Sequence, residues 1–474
     1  MDEAQIDTKK IYERRWSILV AVMLGSIMAP IDGSIMNIAM PTLREVFHAP
    51  LETVSWVSMA YLLVVSSTLL AFGRLGDIIG YRRIYQTGLL IFTASSAVCG
   101  FASNITALIA GRVAQAIGGG MLLSMAPAIL TAVFPPNDRG KALGINAMSV
   151  AVGLAIGPSL GGFLVSTLGW EYIFFINVPI GIAAFILAQL FLPRNSVRRD
   201  ERFDAIGAVL AFCLLFSLLL YINRGSQWGW ISLIGITTLS IAVISFIALI
   251  LLESRQSEPM LDLSLFKIRL FTAGTASTLL NFSAQYIMTF LTPFYLTQKG
   301  LPPSTAGAVM TAFPAVMLVM APVSGALSDR LGARGLSTLG AAISAFGIFL
   351  MSTLTLDSPI WRITLNLAVF GIGNGLFQSP NNSSVMGSVP RDRLGIASSF
   401  LATMRNVGMV MGIAIGGAVF SSLSQYFTAR LNLTGIALQD TAFMYAIRIA
   451  YMTGMALDIL CVVTSAIRGK HNVA

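Results

Sequence analysis

Gly153-Leu-Ala-Ile-Gly157-Pro158-Ser-Leu-Gly161-Gly162 lies inside an apolar run from about Leu143 to Val165. Gly153, Gly157 and Gly161 recur every fourth residue, so a helix over this stretch has one face without side chains. A second helix can approach that face backbone to backbone, the small-xxx-small packing of membrane helices. Pro158 removes a backbone donor and bends such a helix, a defect tolerated in a bilayer where neighbours satisfy the freed carbonyl. Gly157-Pro-Ser-Leu-Gly161 also matches the Gly-x-Ser-x-Gly of serine hydrolases, but that chemistry needs a strand–turn–helix elbow and a histidine. The only histidines are His48 and His471. The stretch reads as a close-packed membrane helix.

Composition extends that reading to the whole chain. Of 474 residues, 55% are hydrophobic and 11% charged, and the mean hydropathy is +0.79. Soluble domains carry about 25% charged residues. Apolar runs long enough to cross about 30 Å of hydrocarbon as helices recur from end to end. Fourteen spans are predicted, at about 16–39, 53–72, 84–103, 104–130, 141–165, 172–193, 205–222, 230–252, 269–297, 304–327, 336–356, 358–386, 394–423 and 445–467. The first run is too long for a signal-peptide core and is expected to act as an uncleaved anchor. The fold class is therefore an all-α integral membrane protein.

The net charge of +9 does not indicate nucleic acid. With the N-terminus in the cytoplasm and sides alternating, cytoplasmic loops and tails hold 22 of the 30 Lys and Arg, outer loops hold 6, and Arg112 and Arg405 lie within spans. This is the positive-inside bias. An even number of spans returns the C-terminus, with Arg468 and Lys470, to the cytoplasmic side. Cys99, Cys213 and Cys461 fall in separate spans and give no disulfide or metal argument. No metal site and no cofactor are expected. Gly371-Ile-Gly-Asn-Gly375 lacks the preceding strand of a nucleotide loop, and no Walker lysine motif is present. The energy source is expected to be an ion gradient, and with so few histidines any proton carriers should be carboxylates.

Intramembrane ionisable groups are the candidate site. A carboxylate at bilayer depth costs about 2.5–3.5 kcal/mol on insertion scales and should face a cavity or a partner. Asp32 sits near the middle of the first span, with Gly25, Met28, Ala29, Met36 and Ala39 on the same side. Methionines beside one acid would suit a pocket for lipophilic cations; the alternative is pairing with a structural donor. The fourth span carries Arg112, with Gln115 on the same face. In the ninth span Asn281, Gln285, Thr289 and Thr292 form a polar stripe, and in the twelfth Asn374, Gln378, Asn381 and Asn382 do likewise. Such stripes either bond to other helices or line a wet cavity. Asp458 in the fourteenth span could carry a second proton, pair with Arg405, or be sheltered near the cytoplasmic end. Spans seven and eight hold almost no polar residues and are read as lipid-facing. Gly408, Gly412 and Gly416 repeat the close-packing pattern in the thirteenth.

Two loop strings point to an internal repeat. Gly73-Arg-Leu-Gly-Asp77-Ile-Ile-Gly80-Tyr-Arg82-Arg83 follows the second span, and Gly325-Ala-Leu-Ser-Asp329-Arg-Leu-Gly332-Ala-Arg334 follows the tenth, 252 residues later. The glycines are read as permitting a tight cytoplasmic turn, with Arg82 and Arg83 among the headgroups. The chain divides into an N-terminal half (1–193), an inserted helix pair with its linkers (194–268) and a C-terminal half (269–474), the internal-repeat organisation of transporters.

The glycine string resembles the antiporter motif of the major facilitator superfamily. The two loop strings resemble that superfamily's loop motif, although Ile78 and Tyr81 replace residues commonly basic there. Asp32-Gly-Ser-Ile-Met-Asn-Ile-Ala-Met-Pro41, and Gly169 to Gly181 with Asn177 and Pro179, are similar to the fourteen-span drug:proton antiporters. Arg112-Val-Ala-Gln115 resembles the family's fourth-helix motif, with Ala116 where Gly is usual. The resemblance implies the major facilitator fold, two six-helix bundles with two extra helices between them, and alternating access. It implies a small-molecule substrate, protons and the lipid bilayer as partners of a proton-coupled monomer in the inner (cytoplasmic) membrane, with both termini cytoplasmic. It further implies export of lipophilic or cationic drugs; the alternatives are a dedicated exporter of one metabolite, lipid or antibiotic, an uptake symporter and a non-transporting membrane receptor. In that fold the first and fourth helices are neighbours, which makes Asp32 the nearest partner of opposite sign for Arg112. Asp32 and Arg112 are then expected proton-coupling residues, and Asp458, which the family pattern does not single out, joins them as the other intramembrane acid. Met28, Asp32, Met36, Gln115, Asn281, Gln285, Asn374, Gln378 and Asn381 are the expected substrate contacts. Gly73, Asp77, Gly80, Arg82, Gly153, Gly157, Pro158, Gly161, Gly162 and Asp329 are the expected gating and packing positions.

Overall fold

The computed structural model describes residues 14–193, 205–229, 231–253, 263–390, 393–430 and 435–468, and among these no strand occurs. The helices are α1 (Arg15–Val46), α2 (Leu51–Ile79), α3 (Tyr81–Gly100), α4 (Ile105–Val133), α5 (Pro136–Thr167), α6 (Tyr172–Phe175), α7 (Asn177–Phe191), α8 (Ala205–Trp228), α9 (Leu233–Glu253), α10 (Arg269–Gln298), α11 (Pro303–Met310), α12 (Ala312–Leu331), α13 (Ala333–Ser352), α14 (Ile360–Gly387), α15 (Leu394–Arg430) and α16 (Gly435–Ile467). Among the described residues, eleven helical stretches are long and apolar enough to cross a membrane. α3, α8 and α10 fall outside that set. α10 has the length, 30 residues, but its polar stripe dilutes its hydropathy. Prolines at 50, 135, 302 and 359 precede helices as N-caps, and the Asn104 side chain accepts from Ala107 N–H at 2.8 Å to cap α4.

The glycine string determines how α5 lies on α1. A β-carbon at Gly153 would stand 2.9 Å from Ile27, at Gly157 2.5 Å from Ser34, and at Gly161 3.0 Å from Ile35. α15 lies on α10 by the same device: a β-carbon at Gly408 would meet the Leu279 carbonyl at 2.6 Å, and one at Gly416 would meet Ile287 at 3.3 Å. Gly162 points elsewhere, against Pro303 of α11, and Gly307 of α11 lies on the Pro158 carbonyl. Pro158 sits inside an uninterrupted α5 and helps form this seam between the N-terminal and C-terminal helices. Ser159 and Thr311 share a 2.6 Å hydrogen bond there, and Ser421 donates to Glu52 where α15 lies on α2.

Several expectations about packing are corrected. α8 is not solely lipid-facing: it packs against both α2 and α15, so the inserted pair covers the seam, while α9 packs on α8 and leaves Ile234, Ile241, Ile244 and Phe246 exposed. Gly73 is not part of a turn; it lies within α2, with nothing near its missing β-carbon. The chain turns at Gly80 (φ 105°) and, in the repeat, at Gly332 (φ 81°), both in the left-handed region that favours glycine. Arg82 is not confined to the headgroups. It donates to the Leu192 carbonyl at 2.7 Å and the Gln189 carbonyl at 2.9 Å, satisfying the C-terminal end of α7. Arg468 likewise is 2% exposed and binds Asn381, Ala333 and Ser337. The side chains of Asp77 and Asp329 lie outside the described residues, as does Lys470.

Candidate functional site

Two buried polar nodes stand inside the helical bundle. In the first, α1 contributes Asp32, α3 Ser96, α4 Arg112 and Gln115, and α7 Asn177. Arg112 Nη1 donates to Asp32 Oδ2 and, at 2.6 Å, to Gln115 Oε1; its Nε donates to the Val57 carbonyl at 3.0 Å. Gln115 Nε2 donates to Asp32 Oδ1 at 2.9 Å and to Ser96 Oγ at 2.8 Å, and Asn177 Nδ2 donates to Asp32 Oδ1 at 3.0 Å. The guanidinium lies 4.3 Å from the ring centre of Tyr61, a cation–π contact strengthened by burial. Asp32 is 2% exposed and Arg112 1%. Charge, hydrogen bonds and ring therefore compensate one another locally, the condition under which a buried ion pair is tolerated.

The second node uses corresponding helices of the C-terminal half. α16 contributes Asp458, α10 Asn281, α13 Ser344 and α14 Asn374. Asn281 Nδ2 donates to Asp458 Oδ1 at 3.1 Å, Ser344 Oγ donates to Oδ2, and Asn374 Nδ2 donates to Ser344 Oγ at 3.1 Å. Asp458 is fully buried and forms no ion pair with a described residue; Arg405 does not reach it. Acid and amide have exchanged places between the halves. The acid is on the first helix and the amide on the last in the N-terminal node, and the reverse holds in the C-terminal node. The arginine is absent from the second.

The expected substrate contacts divide into three groups. Met28, Met36 and Gln115 are fully buried; the two methionines belong to the apolar packing. Asn281, Asn374 and Asn381 make interhelical bonds, Asn381 to Gly274, Thr278 and Arg468. Gln285 alone of the nine lines the small cavity at the seam, about 50 Å³, with Ser34, Asn37, Pro158, Tyr286, Thr289, Phe313 and Met317 among its other walls. Gln378 reaches that wall through a 3.2 Å bond to Gln285. Asp32 does not border the cavity. A larger groove of about 560 Å³ lies at the helix ends, between Arg44, Glu45, His48, Phe294 and Gln298. Sequence reading missed Tyr61, Ser96 and Ser344 as node members. Asn177 was quoted only within a segment, although an amide in an apolar span was a usable signal.

A family model described as Major Facilitator Superfamily matches residues 22–413 and, separately, 271–463. The chain belongs to the Major Facilitator Superfamily. It is 38% identical over 417 residues, 87% of this chain and 90% of the relative, to the riboflavin transporter RibZ of Clostridioides difficile. It is 32% identical to the tetracenomycin C resistance and export protein of Streptomyces glaucescens, over 86% of this chain and 76% of that protein. The multidrug transporter protein MdtP of Bacillus subtilis is 30% identical, over 87% and 76% respectively. Among solved structures, a bacterial homologue of the human lysosomal transporter Spinster, inward-facing and unoccupied, superposes with a TM-score of 0.68 at 15% identity, covering 96% of this chain and 97% of that one. The protein is a multi-pass membrane transporter of this superfamily.

Proposed function

We propose that this superfamily member is a proton-coupled exporter of lipophilic, ring-containing small molecules, working by alternating access at the cleft between its two halves. The reading places fourteen spans in the cytoplasmic membrane with both termini inside, a C-terminal half from 269, and 194–268 as an inserted pair. The observation that carries it is the pair of buried carboxylate nodes, one neutralised by arginine and one not. A carboxylate without a cation at membrane depth is far easier to keep neutral than ionised. Asp458 therefore takes a proton from the outer side when the halves open outward and releases it inward, while Asp32 and Arg112 exchange partners as α1 and α4 shift. The names of the relatives, a riboflavin transporter, a tetracenomycin C export protein and a multidrug transporter, support organic small-molecule substrates. The sealed state of Asp32 gives no support to direct cation binding there.

The test is dye flux in proteoliposomes under an imposed pH gradient, with ethidium, rhodamine 6G, fluorescein and riboflavin as probes. Wild type should move at least one probe in a gradient-dependent way, and Asp458→Asn should retain facilitated flux but lose its dependence on the gradient. Gradient-dependent flux that survives in both Asp458→Asn and Asp32→Asn would remove the carboxylates from the coupling role. Inward accumulation driven by proton entry would replace export with uptake.

A further inference from the structure

Arg405 is a charged side chain within the membrane region that neither node uses. It lies on α15, three residues before Gly408, where that helix begins its close approach to α10. Its Nε is buried without a hydrogen-bond partner, and among the described residues no carboxylate pairs with it. The residue as a whole is half-buried rather than sealed. A cation at this depth is expected to face a cavity or a counter-charge. Its electrostatic neighbour is Tyr286.

Tyr286 gives Arg405 its context. It lines the seam cavity beside Gln285 and Thr289, and it lies within electrostatic range of Tyr61, whose ring sits on Arg112 in the other half. The cavity walls contain hydroxyls, amides, rings and thioethers but no carboxylate. A cationic substrate would find no counter-charge among those walls and one repelling charge beside them. A substrate with an anionic or strongly electron-rich edge would find a guanidinium with free donors, next to a phenol and an amide that can complete its hydrogen bonds.

We infer that Arg405, with Tyr286 and Gln285, recognises an anionic edge on an otherwise apolar aromatic substrate. This rests on the reading of the seam cleft as the transport path and specifies its substrate class. At about 50 Å³ the cavity is below the 300–1,000 Å³ of drug-sized sites, so the substrate enters once the halves separate and the pocket closes behind it. Guanidinium and substrate neutralise one another during the crossing, and hydration of Arg405 after release completes the cycle.

Equilibrium binding of two xanthene dyes to the purified full-length chain tests this, read by fluorescence anisotropy. Fluorescein is anionic and rhodamine 6G cationic on the same ring system. Wild type should bind fluorescein at least tenfold more tightly. Arg405→Gln should raise the fluorescein Kd tenfold or more while leaving rhodamine 6G unchanged or tighter, so the second dye reports an intact fold; Arg405→Lys should keep most of the fluorescein affinity. Equal effects of Arg405→Gln on both dyes, or none on either, would overturn the inference. Thr289→Phe separates the two readings by filling the cleft. If it abolishes both dyes while Arg405→Gln changes neither, only the anion inference fails. If it leaves both untouched, the cleft is not the binding site and both readings fail, as they do if wild type binds neither dye.

Discussion

The two nodes are built on corresponding helices yet treat charge in opposite ways. In the N-terminal half one carboxylate holds a guanidinium, two amides and, through Gln115, a serine. In the C-terminal half the carboxylate holds an amide and a serine and, among the described residues, no cation. In the first, each partner offsets the desolvation of the others. The second can pass between neutral and ionised forms without orphaning a positive charge. The same four-helix geometry thus holds one acid with a cation and, among the described residues, one without.

Removing one charge from each node should expose this difference most sharply. Arg112→Leu leaves Asp32 buried without its cation and should cost about 3–5 kcal/mol, read as a large fall in thermal unfolding temperature of the purified protein. Asp458→Asn replaces a carboxyl that pairs with no cation among the described residues and should cost about 1 kcal/mol or less. Equal losses would mean the two nodes are energetically alike. The glycine-lined contacts come next. Gly157→Ala sets a methyl 2.5 Å from Ser34, and Gly412→Ala drives one into the Ser283 carbonyl. Each should destabilise by about 1–3 kcal/mol, similarly in the two halves if the helix pairs are equivalent.

Smaller effects sharpen the comparison further. Ser344→Ala removes a direct donor to Asp458, whereas Ser96→Ala only withdraws an acceptor from Gln115. The first should change the pH profile of flux and the second should not, with about 1 kcal/mol of stability at stake in each. A pH profile that moves equally in both would place the serines in one functional class. Gly144→Ala is the smallest. It lies in α5 with nothing within 4 Å of its β-carbon position, so the substitution should stabilise by up to about 1 kcal/mol through helix propensity alone. A loss there would show that this end of α5 packs against something in another conformation.

Helix positions were largely legible because apolar length and breaker residues are local signals. Gly80 and Gly332 show the limit. The repeat of the two loop strings was visible, but which glycine turned the chain was not, since Gly73 and Gly80 are equally permissive until the helix end is fixed by backbone geometry. The polar stripe of α10 was also visible, but its destinations were not. Asn281 and Gln285 are one turn apart, and one bonds to α16 while the other faces the seam. A few tens of degrees of helix rotation decide between them, and rotation is set by neighbours such as Gly408 and Gly412, not by the stripe.

The sequence by itself determined an all-helical membrane chain, an internal repeat, the close-packing face at Gly153, Gly157 and Gly161, and the short set of ionisable groups that the bilayer makes expensive. Each follows from the identity and spacing of residues near one another along the chain. Only the tertiary structure decided that Asp32 is sealed against Arg112, that Asp458 meets no cation among the described residues, that Arg405 stands beside Tyr286, and that α8 covers the seam. These depend on which helix faces meet, and at membrane depth a charge takes its chemistry from whatever group stands opposite.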